Sequence, residues 1–247
     1  RQATNFAKTL INESAVSHGH AVVVGLHDGS LVKALLLNSS LQVVAFDDDP
    51  STVKRLRREL DRAGVSGKRA AIIECSPSDV SLPPYIASLI TTETPAELGD
   101  VWDGQLQALR PFGGMAAPRI AVGDGIAKPE RLHDLDTGVF ELADLNGKAI
   151  IRRVGALPGT TEYAGNYALS PDELVRFPLG VLWFDDTLAH FKRSPQPQFD
   201  DGVMISRPKD WHAPRLKGDY SIDYPLLPPV LSDIYTGRVF SKQEQTK

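Results

Sequence analysis

The chain has 247 residues, of which 42% are apolar and 23% charged, and its formal net charge is −4. This composition is typical of a globular domain with a smaller second part, and it excludes disordered, fibrous and collagen-like chains. Neither half is basic, because residues 1–155 hold 17 Lys and Arg against 19 Asp and Glu and the remainder holds 10 against 12. Nucleic acid is therefore not an expected partner.

Cysteine content and hydropathy limit the environment of the chain. Cys75 is the only cysteine, so no internal disulfide can form. A single thiol is compatible with both reducing and oxidising compartments. No apolar run approaches the roughly 20 residues that a membrane-spanning helix needs, and no membrane span is predicted. The sequence begins at Arg1 without a signal-like segment, and we expect it to be a piece of a longer protein.

The first 155 residues alternate strand-like runs with helical patterns. In chain order, the predicted elements are a helix at 4–14, a strand at 21–25, a helix from 30, a strand at 42–46, a helix at 51–63, strands at 70–74 and 86–91, a helix at 101–109 and a strand at 115–122. Strands as uniformly apolar as 21–24 are covered on both faces. The pattern therefore predicts an α/β fold with a doubly wound, mostly parallel sheet.

The pattern changes after the fifth strand. The β-type runs Gly138–Ala143 and Ala149–Val154 flank a short loop that contains Asn146-Gly147. Asn-Gly is a strong hairpin signal because both residues tolerate positive φ. An antiparallel hairpin is therefore expected to close the parallel sheet, which a plain dinucleotide-binding fold would not require.

The loop after the first strand is the first candidate for ligand binding. It contains Gly25, His27 and Gly29 and leads into a helix, so it places backbone N–H groups at the carboxyl edge of the sheet, where ligands bind. The loop lacks the glycine spacing of the dinucleotide fingerprint, which disfavours NAD and permits a ligand without phosphates, such as S-adenosylmethionine. The alternative is that the two glycines only turn the chain.

Acidic residues follow the second strand. Asp47 is positioned to accept hydrogen bonds from both hydroxyls of a ribose, and Asp48 is a second candidate for the same ligand. Asp49 followed by Pro50 instead indicates a helix N-cap with proline at the first helical position. Asp47 is thus the preferred nucleoside contact.

The third and fourth strands end in further candidates. Ser76 lies in the loop that would face an adenine, and Asp79 is an equally weak candidate there. Glu93 follows the fourth strand and could serve as a catalytic base or contact a substrate, or be a solvated loop carboxylate. His190 and His212 lie 22 residues apart without further ligands, so no metal site is predicted.

Together, the runs 20–29, 47–50, 86–93 and 109–114 and the loop through Asp79 resemble the class I S-adenosylmethionine-dependent methyltransferase domain. The resemblance implies a Rossmann-like sheet of seven strands that ends in an antiparallel hairpin. It also implies S-adenosylmethionine as cofactor, with Gly25, His27, Gly29, Asp47, Asp48 and Ser76 as its contacts and Glu93 as the catalytic residue.

A closer resemblance is to the methyltransferase-like module carried by planctomycete-type proteins with pyrroloquinoline-quinone-like (PQQ-like) β-propeller repeats. It rests on Leu157-Pro158-Gly159, the run 174–184 and the run 233–239, which matches the turn of a propeller blade. It implies a methyltransferase-like domain at 1–156, the start of a blade at 157–247, and the remaining propeller as partner. PQQ itself is not expected here, because its site needs a closed ring of blades.

Two departures from this family define the alternative function. The segment 191–197 replaces a histidine- and glycine-rich stretch of the family, and the first loop has two glycines where active methyltransferases usually have three. The alternative is therefore a degenerate, non-catalytic binding or scaffold module of a larger quinoprotein-like protein. A nicotinamide oxidoreductase is a third interpretation, which the first loop and the hairpin disfavour.

The expected compartment depends on the function. The protein would be cytoplasmic if it is an S-adenosylmethionine enzyme, and exported if the module follows the quinoprotein part.

Residues 156–247 hold five of the six Tyr, two of the three Trp and 10 of the 18 Pro. We expect an irregular and β-rich extension with a short helix from Ser170 and strands at 180–184 and 203–206. Its aromatic surface is expected to pack against the first domain or against a second copy of the chain in a homo-oligomer. A carbohydrate or cofactor platform is the less favoured interpretation.

Overall fold

The computed structural model describes residues 2–14, 16–94, 104–117, 139–145, 149–160, 197–210, 212–213 and 225–246. The chain divides into two compact units, Arg1–Leu157 and Pro158–Lys247. Within the described ranges, no helix combines the length and the hydropathy needed to cross a bilayer. The predictions for residues 118–122, 170–174 and 180–184 lie outside the described residues.

The first unit contains three helices and seven strands with described bounds. The helices are α1 (Gln2–Ser14), α2 (Ser30–Asn38) and α3 (Pro50–Arg62), and the strands are β1 (His20–Val24), β2 (Gln42–Asp47), β3 (Ala70–Glu74), β4 (Ala87–Thr91), β5 (Met115–Ala117), β6 (Phe140–Asp144) and β7 (Ala149–Arg153). A short 3-10 helix spans Pro77–Asp79, and residues 104–106 are helical.

The seven strands form one sheet in the order β3-β2-β1-β4-β5-β7-β6. Neighbours from β3 to β5 pair in parallel, and β7 runs antiparallel to both β5 and β6. The predicted fold class is confirmed, including the hairpin that closes the sheet. The order reverses between β1 and β4, so the crevice at their carboxyl ends is the topological switch point where such sheets bind ligands.

Both faces of the sheet are buried at the central strands β1, β4 and β5, as their apolar sequences predicted. Side chains alternate along β1, with Ala21 and Val23 packing into a core that includes Leu35 and Leu56. Val22 and Val24 pack into a second core on the other face, which includes Leu109. This double burial requires apolar residues at nearly every strand position, and it fixes the strand ends that carry the candidate site.

Helix α3 begins as the sequence predicted. The side chain of Asp49 accepts hydrogen bonds from the backbone N–H groups of Ser51 (3.0 Å) and Thr52 (3.1 Å), and Pro50 occupies the first helical turn. Proline costs nothing at that position because its missing N–H would have no partner inside the helix. The cap therefore sets the direction in which the chain leaves β2.

The second unit contains an antiparallel sheet of three described strands in the order β10-β9-β8. These are β8 (Gln198–Asp200), β9 (Val203–Ser206) and β10 (Val230–Asp233). The strand predicted at 203–206 is confirmed. Asp201 (φ 43°) and Gly202 (φ 76°) connect β8 to β9, as in a two-residue hairpin that needs positive φ at both positions.

The segment after β10 folds back on the strand. The carbonyl of Asp233 accepts a hydrogen bond from the N–H of Gly237 (2.8 Å), and its carboxylate accepts one from the N–H of Tyr235 (2.9 Å). A β-bridge then joins Ser232 to Val239. The run 233–239 is therefore a turn, and its assignment to a propeller blade stays a prediction.

Candidate functional site

The candidate site lies where the chain leaves β1, β2 and β4. The first loop, Gly25–Gly29, follows β1, Asp47 ends β2, and Glu93 lies two residues after the end of β4. These positions lie at the carboxyl ends of parallel neighbours. The sheet order therefore brings together residues that are up to 68 positions apart in sequence, as the predicted topology required.

Asp47 contacts the first loop directly. It is 6% exposed, and its Oδ2 accepts a hydrogen bond from the N–H of Leu26 at 2.5 Å. Its Oδ1 accepts another from the N–H of Asp49 at 2.9 Å. The carboxylate thus links the first loop to the start of α3, and each oxygen retains further acceptor capacity.

Glu93 is the most extensively bound side chain of the site. Its Oε2 accepts hydrogen bonds from the N–H groups of His27 (2.9 Å), Asp28 (3.1 Å) and Gly29 (2.7 Å). Its Oε1 accepts a fourth from the N–H of Leu31 (2.5 Å). The alternative of a solvated loop carboxylate is wrong, because Glu93 is 6% exposed. Its catalytic role stays a prediction.

The backbone amides from residue 25 to residue 31 all donate to protein acceptors. Beyond the five bonds to Asp47 and Glu93, the N–H of Gly25 donates to the carbonyl of Phe46 (2.9 Å). The N–H of Ser30 donates to the carboxylate of Asp28 (2.8 Å), and hydrogen bonds from Ser30 lower the pKa of Asp28. Three carboxylates, those of Asp28, Asp47 and Glu93, therefore supply six of the seven acceptors of these amides.

The backbone conformation of the first loop requires glycine at positions 25 and 29. Gly25 has φ 80° and Gly29 has φ 73°, a region that other residues rarely adopt. A Cβ on Gly25 would lie 2.6 Å from Oγ1 of Thr94, and one on Gly29 would lie 2.7 Å from Cδ1 of Leu56. Thr94 therefore lies against Gly25, and Leu56 of α3 packs against Gly29.

The remaining predicted contacts differ in their exposure. His27 and Asp48 are exposed, Ser76 is half-buried, and Gly25 and Gly29 are buried. The hydroxyl of Ser76 pairs with that of Ser78 at 2.9 Å. The roles of these residues in cofactor binding stay predictions. In the described part of the chain, no group of three or more His, Cys, Asp or Glu side chains could hold a metal ion.

The contacts of Glu93, Leu26 and Thr94 were not foreseen from the sequence. Glu93 bonds to amides 62 to 66 positions away, and no local pattern encodes such a pairing. The one available signal was an acidic residue between two threonines at the end of a buried strand. Topology then placed it opposite the first loop.

Comparison with known proteins supports the fold. The chain is similar to a Methanococcus maripaludis structure that is assigned as an S-adenosyl-L-methionine-dependent methyltransferase. The two are 15% identical in sequence, and the TM-score is 0.51 over 64% of this chain and 87% of that one. A methyltransferase from Geobacter sulfurreducens is 16% identical, with a TM-score of 0.48 over 62% and 78% of the two chains. No protein-family model and no curated protein matches the chain. The first of these similarities shows a shared fold.

Proposed function

We propose that the first unit is an S-adenosylmethionine-binding, methyltransferase-like domain whose methyl acceptor is unknown. The observation that carries the proposal is the placement of Asp47, a buried carboxylate at the end of β2 that contacts the first loop. A carboxylate there can accept hydrogen bonds from both hydroxyls of a ribose. Methyl transfer itself needs a nucleophile held in line with the sulfonium, which depends on positioning more than on acid or base help.

Calorimetry with S-adenosylhomocysteine tests this proposal. The wild-type protein is expected to bind, and Asp47→Asn is expected to bind about 10- to 100-fold more weakly, because a hydrogen bond to a charged group contributes about 1.5–3 kcal/mol. Asp61→Asn is the matched control, since Asp61 is exposed on the far end of α3, and it should bind like the wild type. No heat from the wild-type protein would contradict the proposal.

A non-catalytic module is the second candidate, and a specific observation favours it. The amides of residues 25–31 are already bonded within the chain, so the loop keeps its conformation without a cofactor. Such a module would hold partners within a larger propeller-bearing protein. It predicts that the wild-type protein is folded and does not bind S-adenosylhomocysteine.

A further inference from the structure

A single buried carboxylate fills the position where the first loop could bind an external anion. Glu93 accepts hydrogen bonds from four N–H groups, three in the first loop and one in the first turn of α2, a helix of nine residues. Converging amides at the start of a helix, with the positive end of its dipole, are the arrangement that binds the phosphates of nucleotides in α/β folds. Here the chain provides the negative charge itself.

Backbone hydrogen bonds hold Glu93 next to the first loop. The backbone N–H of Glu93 donates to the carbonyl of Gly25 at 3.1 Å. The next residue, Thr94, donates its N–H to the hydroxyl of Thr92 at 3.1 Å. The segments that follow β1 and β4 are therefore joined by a backbone hydrogen bond and by the hydrogen bonds of the Glu93 carboxylate. A phosphate could reach the four amides only by displacing a carboxylate that is almost completely buried.

We propose that Glu93 is a specificity-determining residue, whose carboxylate excludes phosphate-bearing ligands from the site and leaves it to a nucleoside without phosphates. A second anion beside the buried carboxylate would be repelled, and the N–H groups that could bind it already donate to Glu93. The part of this inference that concerns the nucleoside rests on the proposed function, whereas the exclusion of anions does not.

The test removes the carboxylate and supplies an anion in its place. Thermal unfolding of Glu93→Ala is expected at a lower Tm than that of the wild type, because four buried donors lose their acceptor. Pyrophosphate at about 100 times its Kd is expected to raise the Tm of this variant by about 5 °C. ADP is expected to act in the same direction. The wild-type protein should show no such rise at the same ionic strength.

Glu74→Ala is the matched control. Glu74 ends β3 at the same edge of the sheet, and its side chain is exposed. If this variant gained the same response to pyrophosphate, the effect would come from net charge or from the exposed basic residues Lys54, Arg58 and Arg62 of α3, and the proposal would be overturned. A response of the wild-type protein equal to that of Glu93→Ala, or none in Glu93→Ala, would also overturn it.

A variant that fails to fold still decides the question. Glu93→Ala would then be refolded in pyrophosphate and, in parallel, in chloride of equal ionic strength. Recovery of folded protein only in pyrophosphate supports the proposal, and equal recovery in both overturns it. Binding of S-adenosylhomocysteine by the wild-type protein is a separate measurement, so a failure of the proposed cofactor leaves the anion response interpretable.

Discussion

At the scale of single residues, carboxylates organise the chain around the carboxyl edge of the sheet. Asp47 and Glu93 bind amides of the first loop, and Asp49 caps α3. The cap was predictable because Asp-Pro before a helical pattern is a local signal. The contacts of Glu93 were not, because they join segments that become neighbours only once the sheet has formed.

The cap makes a prediction about acid stability. Hydrogen bonds from Thr52 and Ser51 lower the pKa of Asp49 to about 2, below its value of about 3.9 in an unfolded chain. A lowered pKa in the folded state means that the ionised cap stabilises the protein above about pH 4, and that this contribution is lost as the pH falls through 2.

Urea unfolding between pH 6 and pH 2 measures this contribution. Asp49→Ala is expected to be less stable than the wild type at pH 6, with the difference shrinking toward pH 2. Asp49→Asn should retain most of the stability at pH 6, because Asn also caps helices and does not titrate. A difference between wild type and Asp49→Ala that stays constant over this range would contradict the cap assignment.

At the scale of elements, the two periodicities of the sequence account for most of the first unit. Runs of buried apolar residues predicted β1 to β4 within one or two residues of their bounds, and the hairpin of β6 and β7 followed from Asn146-Gly147. Helix α3 begins at Pro50 rather than Ser51. Such shifts arise because a terminal residue belongs to the cap as much as to the element.

Helix α2 offers a matched pair of substitutions for testing the described core. Leu35 is 0% exposed, and Leu37 on the same helix is 84% exposed. Leu35→Ala is expected to lower the free energy of unfolding by about 2–5 kcal/mol, because it leaves a cavity in the core. Leu37→Ala is expected to change it by at most about 0.5 kcal/mol. Equal losses in chemical denaturation would show that α2 does not pack as described.

At the scale of the whole molecule, all described strands of the seven-stranded sheet lie in the first unit. Its seven strands lie between His20 and Arg153, and the first compact unit extends to Leu157. The sequence predicted this architecture from strand and helix alternation together with the closing hairpin. It could not reveal that the amides of the first loop are bonded within the chain, because that depends on side chains brought together by the strand order.

A fragment of residues 1–157 is therefore expected to fold without the second unit. Every described strand of the seven-stranded sheet is retained at this truncation. Circular dichroism should show α/β secondary structure, and thermal unfolding should be cooperative, since the fragment keeps both described cores of the first unit. A fragment with secondary structure but without a cooperative transition would contradict this expectation.

The solitary thiol of the chain gives the site a natural reporter position. Cys75 is half-buried and its N–H donates to the carbonyl of Asp47 at 3.0 Å. A fluorophore or nitroxide attached to its sulfur would be the only label on the protein, with no need to remove other cysteines. Its signal would report events beside the acid at the end of β2 in an otherwise unmodified chain.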